Sequence, residues 1–180
     1  ASLTQPRLIL VSVDVAEGAP VAFDSYEWQD GSRKSEYGKY IVKNGKKVGH
    51  QHTIRYNDGI TSDQVIASAS VPINYTYAPV EVESYNSNTD TYEKNIRYFW
   101  DGGLMSNTPL SQLIRLHHLY WLKVKRLTDT VPKLQLCIVN VHPMKQDKIS
   151  WDQDGVISRT IDIILSDRTQ REQDAFLLIS

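Results

Sequence analysis

"RLILVSVDV", Arg7 to Val15, is nearly continuous in apolar side chains and rich in Val, Leu and Ile. A half-buried strand alternates apolar with polar residues. A short run that does not alternate fits a strand covered on both faces, as in a sheet held between helices. "LQLCIVNV", Leu134 to Val141, reads the same way and places Cys137 inside a buried strand as a small hydrophobe. These two runs set the expectation of an α/β chain.

Working outward, the segment between them is hairpin material. "YIVKNGKKVGHQHTIRY" sets Asn44-Gly45 between two alternating runs, a strong hairpin signal because both residues accept positive φ. A second pair, about Tyr75–Tyr85 and Thr91–Trp100, flanks the polar turn "NSNTD" and is rich in tyrosine and β-branched residues. "TSDQVIASAS" predicts a short helix, with Thr61 or Ser62 as N-cap, Asp63 near its positive end, and Pro72 stopping it. The spacing of Leu110, Leu113, His117, Tyr120, Val124 and Leu127 predicts a largely buried helix over about Pro109–Arg126. A last helix, about Gly155–Asp167 and open to extension beyond, carries Ile157, Ile161 and Ile164 on one face.

The 180 residues suit one domain, and a 23% share of charged residues with a net charge of -1 gives no electrostatic footprint for nucleic acid. One cysteine excludes an internal disulfide, and no apolar run reaches membrane-spanning length. The start without Met and the abrupt end at "AFLLIS" are read as a piece of a longer protein. His117 and His118 read as packed helix residues, and His50 and His52, on one face of a strand, as surface residues without a third metal ligand. His142 stands at a strand end. Gly31 to Gly49 holds Arg33, Lys34, Lys39, Lys43, Lys46 and Lys47 against the single acid Glu36. Such a run is a solvated face or a contact for anionic headgroups, with Lys43, Lys46 and Lys47 as the membrane contacts and Tyr37 and Tyr40 as interfacial anchors.

"YFWDGGLMSNTPL", Tyr98 to Leu110, puts Asp101 between a strand and a helix. Asp-Gly by itself is a common turn dipeptide, but Gly102 and Gly103 also let backbone approach a ligand closely. Upstream, "IASASVP" is a second small-residue segment ending at a proline. Together with "RLILVSVDVAEGAPVAF", a strand, a turn and a return strand, these blocks resemble the patatin-like phospholipase family. Its members are lipid acyl hydrolases that use a serine–aspartate dyad. The resemblance covers roughly Arg7 to Arg168, is specific at "DGG…NTP" and loose elsewhere.

The resemblance implies a partial three-layer α/β/α sheet with β-hairpin elaborations. The chain, residues 1–180, would be the C-terminal part of one catalytic domain. It implies Asp101 as the general base, with Gly102, Gly103 and Asn107 as the supporting loop, acting on a lipid or acyl ester without a metal or organic cofactor. The setting it implies is cytoplasmic, peripheral at a membrane. The family's G-x-S-x-G nucleophile turn is absent from these residues. It is expected upstream, the chain alone is expected to be inactive, and the missing strands are expected to leave an edge open to self-association. The rival expectations are a noncatalytic binding or assembly domain, and a degenerate member that keeps the fold without the activity.

Overall fold

The computed structural model describes residues 6–28, 30–43, 46–56, 59–72, 74–86, 89–105, 109–128, 130–135, 137, 145 and 147–177, with backbone alone at 38–43, 46–51, 86, 111–112, 124 and 166–177. The chain divides into two compact units, Ala1–Gly102 and Gly103–Ser180.

The first unit is an antiparallel sheet of six strands: β1 (Ile9–Asp14), β2 (Ala19–Asp24), β3 (Arg33–Lys43), β4 (Lys46–Tyr56), β5 (Ala78–Asn86) and β6 (Thr91–Asp101). Their order is β2-β1-β6-β5-β4-β3. The outermost strands come back together, and the Ala22 N–H of β2 donates to Ser35 Oγ of β3 at 2.9 Å, so the sheet is a nearly closed barrel. The expected three-layer α/β/α sheet is therefore not formed. Parallel strands need a crossover of a dozen residues or more, whereas only four, two and four residues of sequence separate β1 from β2, β3 from β4 and β5 from β6. Gly18, at φ 57°, closes the first of these connections, its N–H donating to Asp14 O at 2.8 Å. β1 is flanked by β2 and β6, which leaves β2 and β3 as the edges.

The burial of β1 comes from barrel geometry, not from helices on two sides. Leu10, Ser12 and Asp14 lie on one face of β1, opposite Phe23, Val21 and Ala19 of β2. That face points into the core formed by Val21, Phe23, Ile54, Tyr56, Val80, Val82 and Phe99. Phe23 meets Tyr56 and Phe99 edge-on, at centroid distances of 5.2 and 5.6 Å, a geometry that adds to the area they bury. The Tyr56 hydroxyl accepts the Asp24 N–H at 2.5 Å, and burial raises its phenol above the ordinary tyrosine range.

Helix α1 (Ser62–Ala69) begins at Thr61, as its cap chemistry predicts, with Gln64 Oε1 accepting the Thr61 N–H at 3.1 Å. Its Ala67 joins the barrel core.

In the second unit α2 (Leu110–Leu119) follows Pro109, then widens into a π-helical turn over Tyr120–Val124. α3 spans Gln153–Leu177. Its covered stripe is completed by Leu165, 4% exposed, while Ile164 is exposed. Leu134, Gln135 and Cys137 carry no strand, and Cys137 is exposed where a buried residue was expected. The rest of Leu134–Val141 and His142 lie outside the described residues. The expected strand is not supported where it can be seen.

Phe99 is fully enclosed and meets Phe23. Phe99→Ala is expected to cost about 3–5 kcal/mol of stability, read from the shift of the urea unfolding midpoint. A shift below about 1 kcal/mol would show that the core does not pass through this ring.

Candidate functional site

Asp101 is the last residue of β6. It lies directly opposite Ser12 of β1, and its N–H donates to the Ser70 carbonyl at 2.8 Å. Ser70 ends α1, and its own hydroxyl donates back to Ile66 O at 2.8 Å. One half-buried aspartate is thus held by a strand on one side and the end of the small-residue helix on the other. Phe99, two residues before it, points into the core, while Trp100 turns to the other face, its ring 5.1 Å from Tyr77.

Gly102 needs to be glycine because of close approach. A Cβ there would stand 2.3 Å from the Val11 carbonyl oxygen. The backbone at this point thus lies directly on β1. Gly103 is also buried. Asn107 falls outside the described residues.

Opposed residues of an antiparallel pair place their Cβ atoms about 4.5–5.5 Å apart on one face. Ser12 is fully buried and its hydroxyl has no hydrogen-bond partner among the described residues. An enclosed hydroxyl of this kind does not suit a nucleophile that has to meet substrate.

Two residues along β1 from Ser12 sits a buried charge cluster that the sequence reading did not assemble. Asp14 has no exposed surface. Its Oδ1 accepts the Ala16 and Glu17 N–H groups at 3.0 and 3.3 Å, which shapes the β1–β2 turn. Its Oδ2 lies 2.6 Å from Arg97 Nε and 3.3 Å from His52 Nε2. Arg97 also reaches Glu17, at 3.5 Å. Burial works against ionisation of Asp14, but His52, Arg97 and the Glu17 amide together outweigh it and hold its carboxyl below the ordinary range.

His52, expected at the surface, is 8% exposed. Arg97, His52, Glu17 and Glu36 line a cavity of about 400 Å³ together with Ser84 and Tyr92. The available signal was the lone acid inside an apolar run, since a buried carboxylate needs a cation. Its partners stand far along the chain, at Arg97 and His52, and only strand order names them.

No group of three or more His, Cys, Asp or Glu residues among those described could hold a metal ion. His117 Nε2 lies 2.8 Å from the Pro132 carbonyl oxygen, within the second unit.

The lysine hairpin lies elsewhere in the barrel. Lys43 pairs with Lys46, and Val42 with Lys47, at the far end of β3 and β4. In β4, Lys46 precedes by eight residues Ile54, the partner of Ser84. Ser84 in turn pairs with Glu93, and Asp101 lies eight residues beyond it in the opposite direction. On the order of 50 Å of strand rise separates the two ends. Arg33 and Lys34 of the same charge run are ion-paired, with Glu27 at 2.9 Å and Glu36 at 2.8 Å.

No protein-family model, curated protein or solved structure matches this chain.

Two outcomes test the site's architecture. Gly102→Ala must push β1 and β6 apart, and is expected to cost about 1–3 kcal/mol in a denaturant melt; an unchanged midpoint would remove the close approach from the account. A carboxyl depressed by folding contributes stability above its unfolded value, near ~4, and loses it as pH falls through the lower folded value. The wild type is therefore expected to lose stability below about pH 4 more steeply than Asp14→Asn, which lacks this linkage. Equal slopes for the two proteins would show that Asp14 is not the titrating group.

Proposed function

We propose that this chain supplies the general base, Asp101, of a serine-dependent lipid acyl hydrolase whose nucleophilic serine belongs to sequence preceding residue 1. The observation that carries the reading is a convergence. The blocks "RLILVSVDV", "IASASVP" and "YFWDGG" were set side by side by a resemblance in sequence alone. In the fold Ser12 of the first opposes Asp101 of the third, and Ser70 of the second accepts its N–H. The reading rests on this local arrangement, since the barrel differs from the layered sheet first expected and a fold does not by itself assign an activity.

The chemistry follows from what a dyad asks of a carboxylate. A serine hydroxyl is a weak nucleophile until a base takes its proton. The carboxylate accepts that proton as the serine oxygen attacks the ester carbonyl carbon. When the tetrahedral intermediate collapses, the C–O bond to the alcohol breaks and the proton passes to the departing oxygen. A water molecule, deprotonated by the same carboxylate, then attacks the acyl-serine carbonyl; the bond to the serine oxygen breaks, that oxygen takes the proton back, and the fatty acid leaves.

An ordinary carboxylate is a poor base at neutral pH, so position and restricted solvent have to supply what basicity does not. Asp101 is half-buried, at the end of a strand whose preceding core residue is fully enclosed. The nearest anion along β1, Asp14, is neutralised by Arg97 at 2.6 Å, so it adds little repulsion to a charged Asp101.

In the longer protein that includes the residues upstream of Ala1, Asp101→Asn is expected to lower turnover of a soluble acyl ester about 10²–10⁴-fold while the melting curve stays close to wild type. The isolated chain of 180 residues is expected to show no turnover. Near-normal rates in the Asp101→Asn protein would sink the assignment and favour a binding or assembly role.

A further inference from the structure

The ladder between β4 and β5 stops early. β3 pairs with β4 along its whole length, from Arg33–Tyr56 to Lys43–Lys46. β5 pairs with β4 only at Ile54–Ser84 and Arg55–Glu83, while on its other side it follows β6 as far as Asn86–Thr91. Beyond Ile54 the two hairpins therefore part. Residues 46–53 of β4 have no strand paired to them on the β5 side among the described residues. This is roughly 27 Å of edge, along which every second residue turns its N–H and C=O away from β3.

The cavity of about 400 Å³ stands where the strands separate. His52 and Thr53 of β4 wall it on one side, Ser84 and Tyr85 of β5 on the other. The root of the edge thus opens on space, not on side chains packed to close the gap. Charge along the hairpin is of one sign. Between Glu36 and Asp58 the sequence holds Lys39, Lys43, Lys46, Lys47 and Arg55 and no acid.

We propose that the β4 edge over 46–53 takes an acidic, extended peptide segment of a partner protein as an added strand. Backbone hydrogen bonds supply the attachment, since an unpaired edge is a template for another strand. Charge selects the guest. A second copy of this hairpin would bring lysines against lysines, and like charges facing across a ladder destabilise it. Glutamate or aspartate on the guest reverses that sign. An anionic lipid surface would answer the charge alone, because its headgroups carry no row of donors and acceptors to match the edge. The cavity gives the end of the guest nearest Ile54 room for a side chain. Asp101 plays no part here, so this inference stands or falls separately from the hydrolase reading.

The probe is a synthetic peptide of about ten residues, a common upper length for a strand, alternating glutamate with threonine. Added to the 180-residue chain, it is expected to slow hydrogen exchange at alternate amides of 46–53, read by NMR, and to bind more weakly as salt rises. Lys43→Glu/Lys46→Glu/Lys47→Glu is expected to lower its affinity about tenfold or more. Two further peptides, N-methylated at alternate residues along one edge or the other, keep every charge and leave the protein unaltered. One is expected to bind within about twofold of the parent peptide and the other about tenfold or more weaker, because only one edge of the guest meets β4.

Four results would overturn the proposal: no binding of the glutamate peptide, protection confined to 36–43, equal affinity for the two methylated peptides, or equally tight binding of a peptide with lysine in place of glutamate. The first of these, accompanied by binding to phosphatidylserine vesicles, would assign the basic hairpin to a lipid surface.

Discussion

A carboxylate with no exposed surface ties this barrel together. Asp14 sits on β1, its partner Arg97 on β6 and His52 on β4, with contacts of 2.6 and 3.3 Å. β1 and β6 are neighbours in the sheet, whereas β4 is reached only across the interior. Charge buried in this way is costly unless every partner is present, and removing one leaves an uncompensated ion worth about 3–5 kcal/mol of destabilisation. The cluster therefore selects one arrangement of strands. A slipped register would turn Asp14 to the outer face and strand Arg97 without its acid.

The position of Asp101 depends on that register. β1 and β6 meet over three residue pairs, Ser12–Asp101, Val13–Trp100 and Asp14–Phe99. The charge cluster holds one end of this short contact, and the Asp101 N–H to Ser70 holds the other. Between them Phe99 fills the core. The same few residues thus serve stability at Asp14 and Phe99 and aim a carboxylate at Asp101. Gly102 lets the chain leave the strand directly over Val11.

Basic character and candidate chemistry are separated along the barrel. The lysine-rich hairpin lies at one end and Asp101 at the other, with aromatic residues covering the outer face beside the aspartate. A reading of charge alone points to the hairpin as the contact surface. The register shows that an object held there is remote from Asp101.

Local signals in the sequence determined the local structure. Asn44-Gly45 between alternating runs announced β3 and β4, Thr61 or Ser62 with Asp63 announced the start of α1, and "NSNTD" separated β5 from β6, because turn and cap chemistry act over a few residues. The Asp-Gly-Gly block marked the point where the chain leaves β6. What the sequence could not decide was which surfaces those elements share. An apolar run such as Arg7–Val15 is equally compatible with helices on both faces or with the wall of a barrel, since burial does not record what does the burying. The partners of Asp14, the distance from the lysines to Asp101, and the meeting of Ser12 and Ser70 at Asp101 are long-range facts. Only the tertiary structure decided them, through strand order and register that bring distant segments into contact.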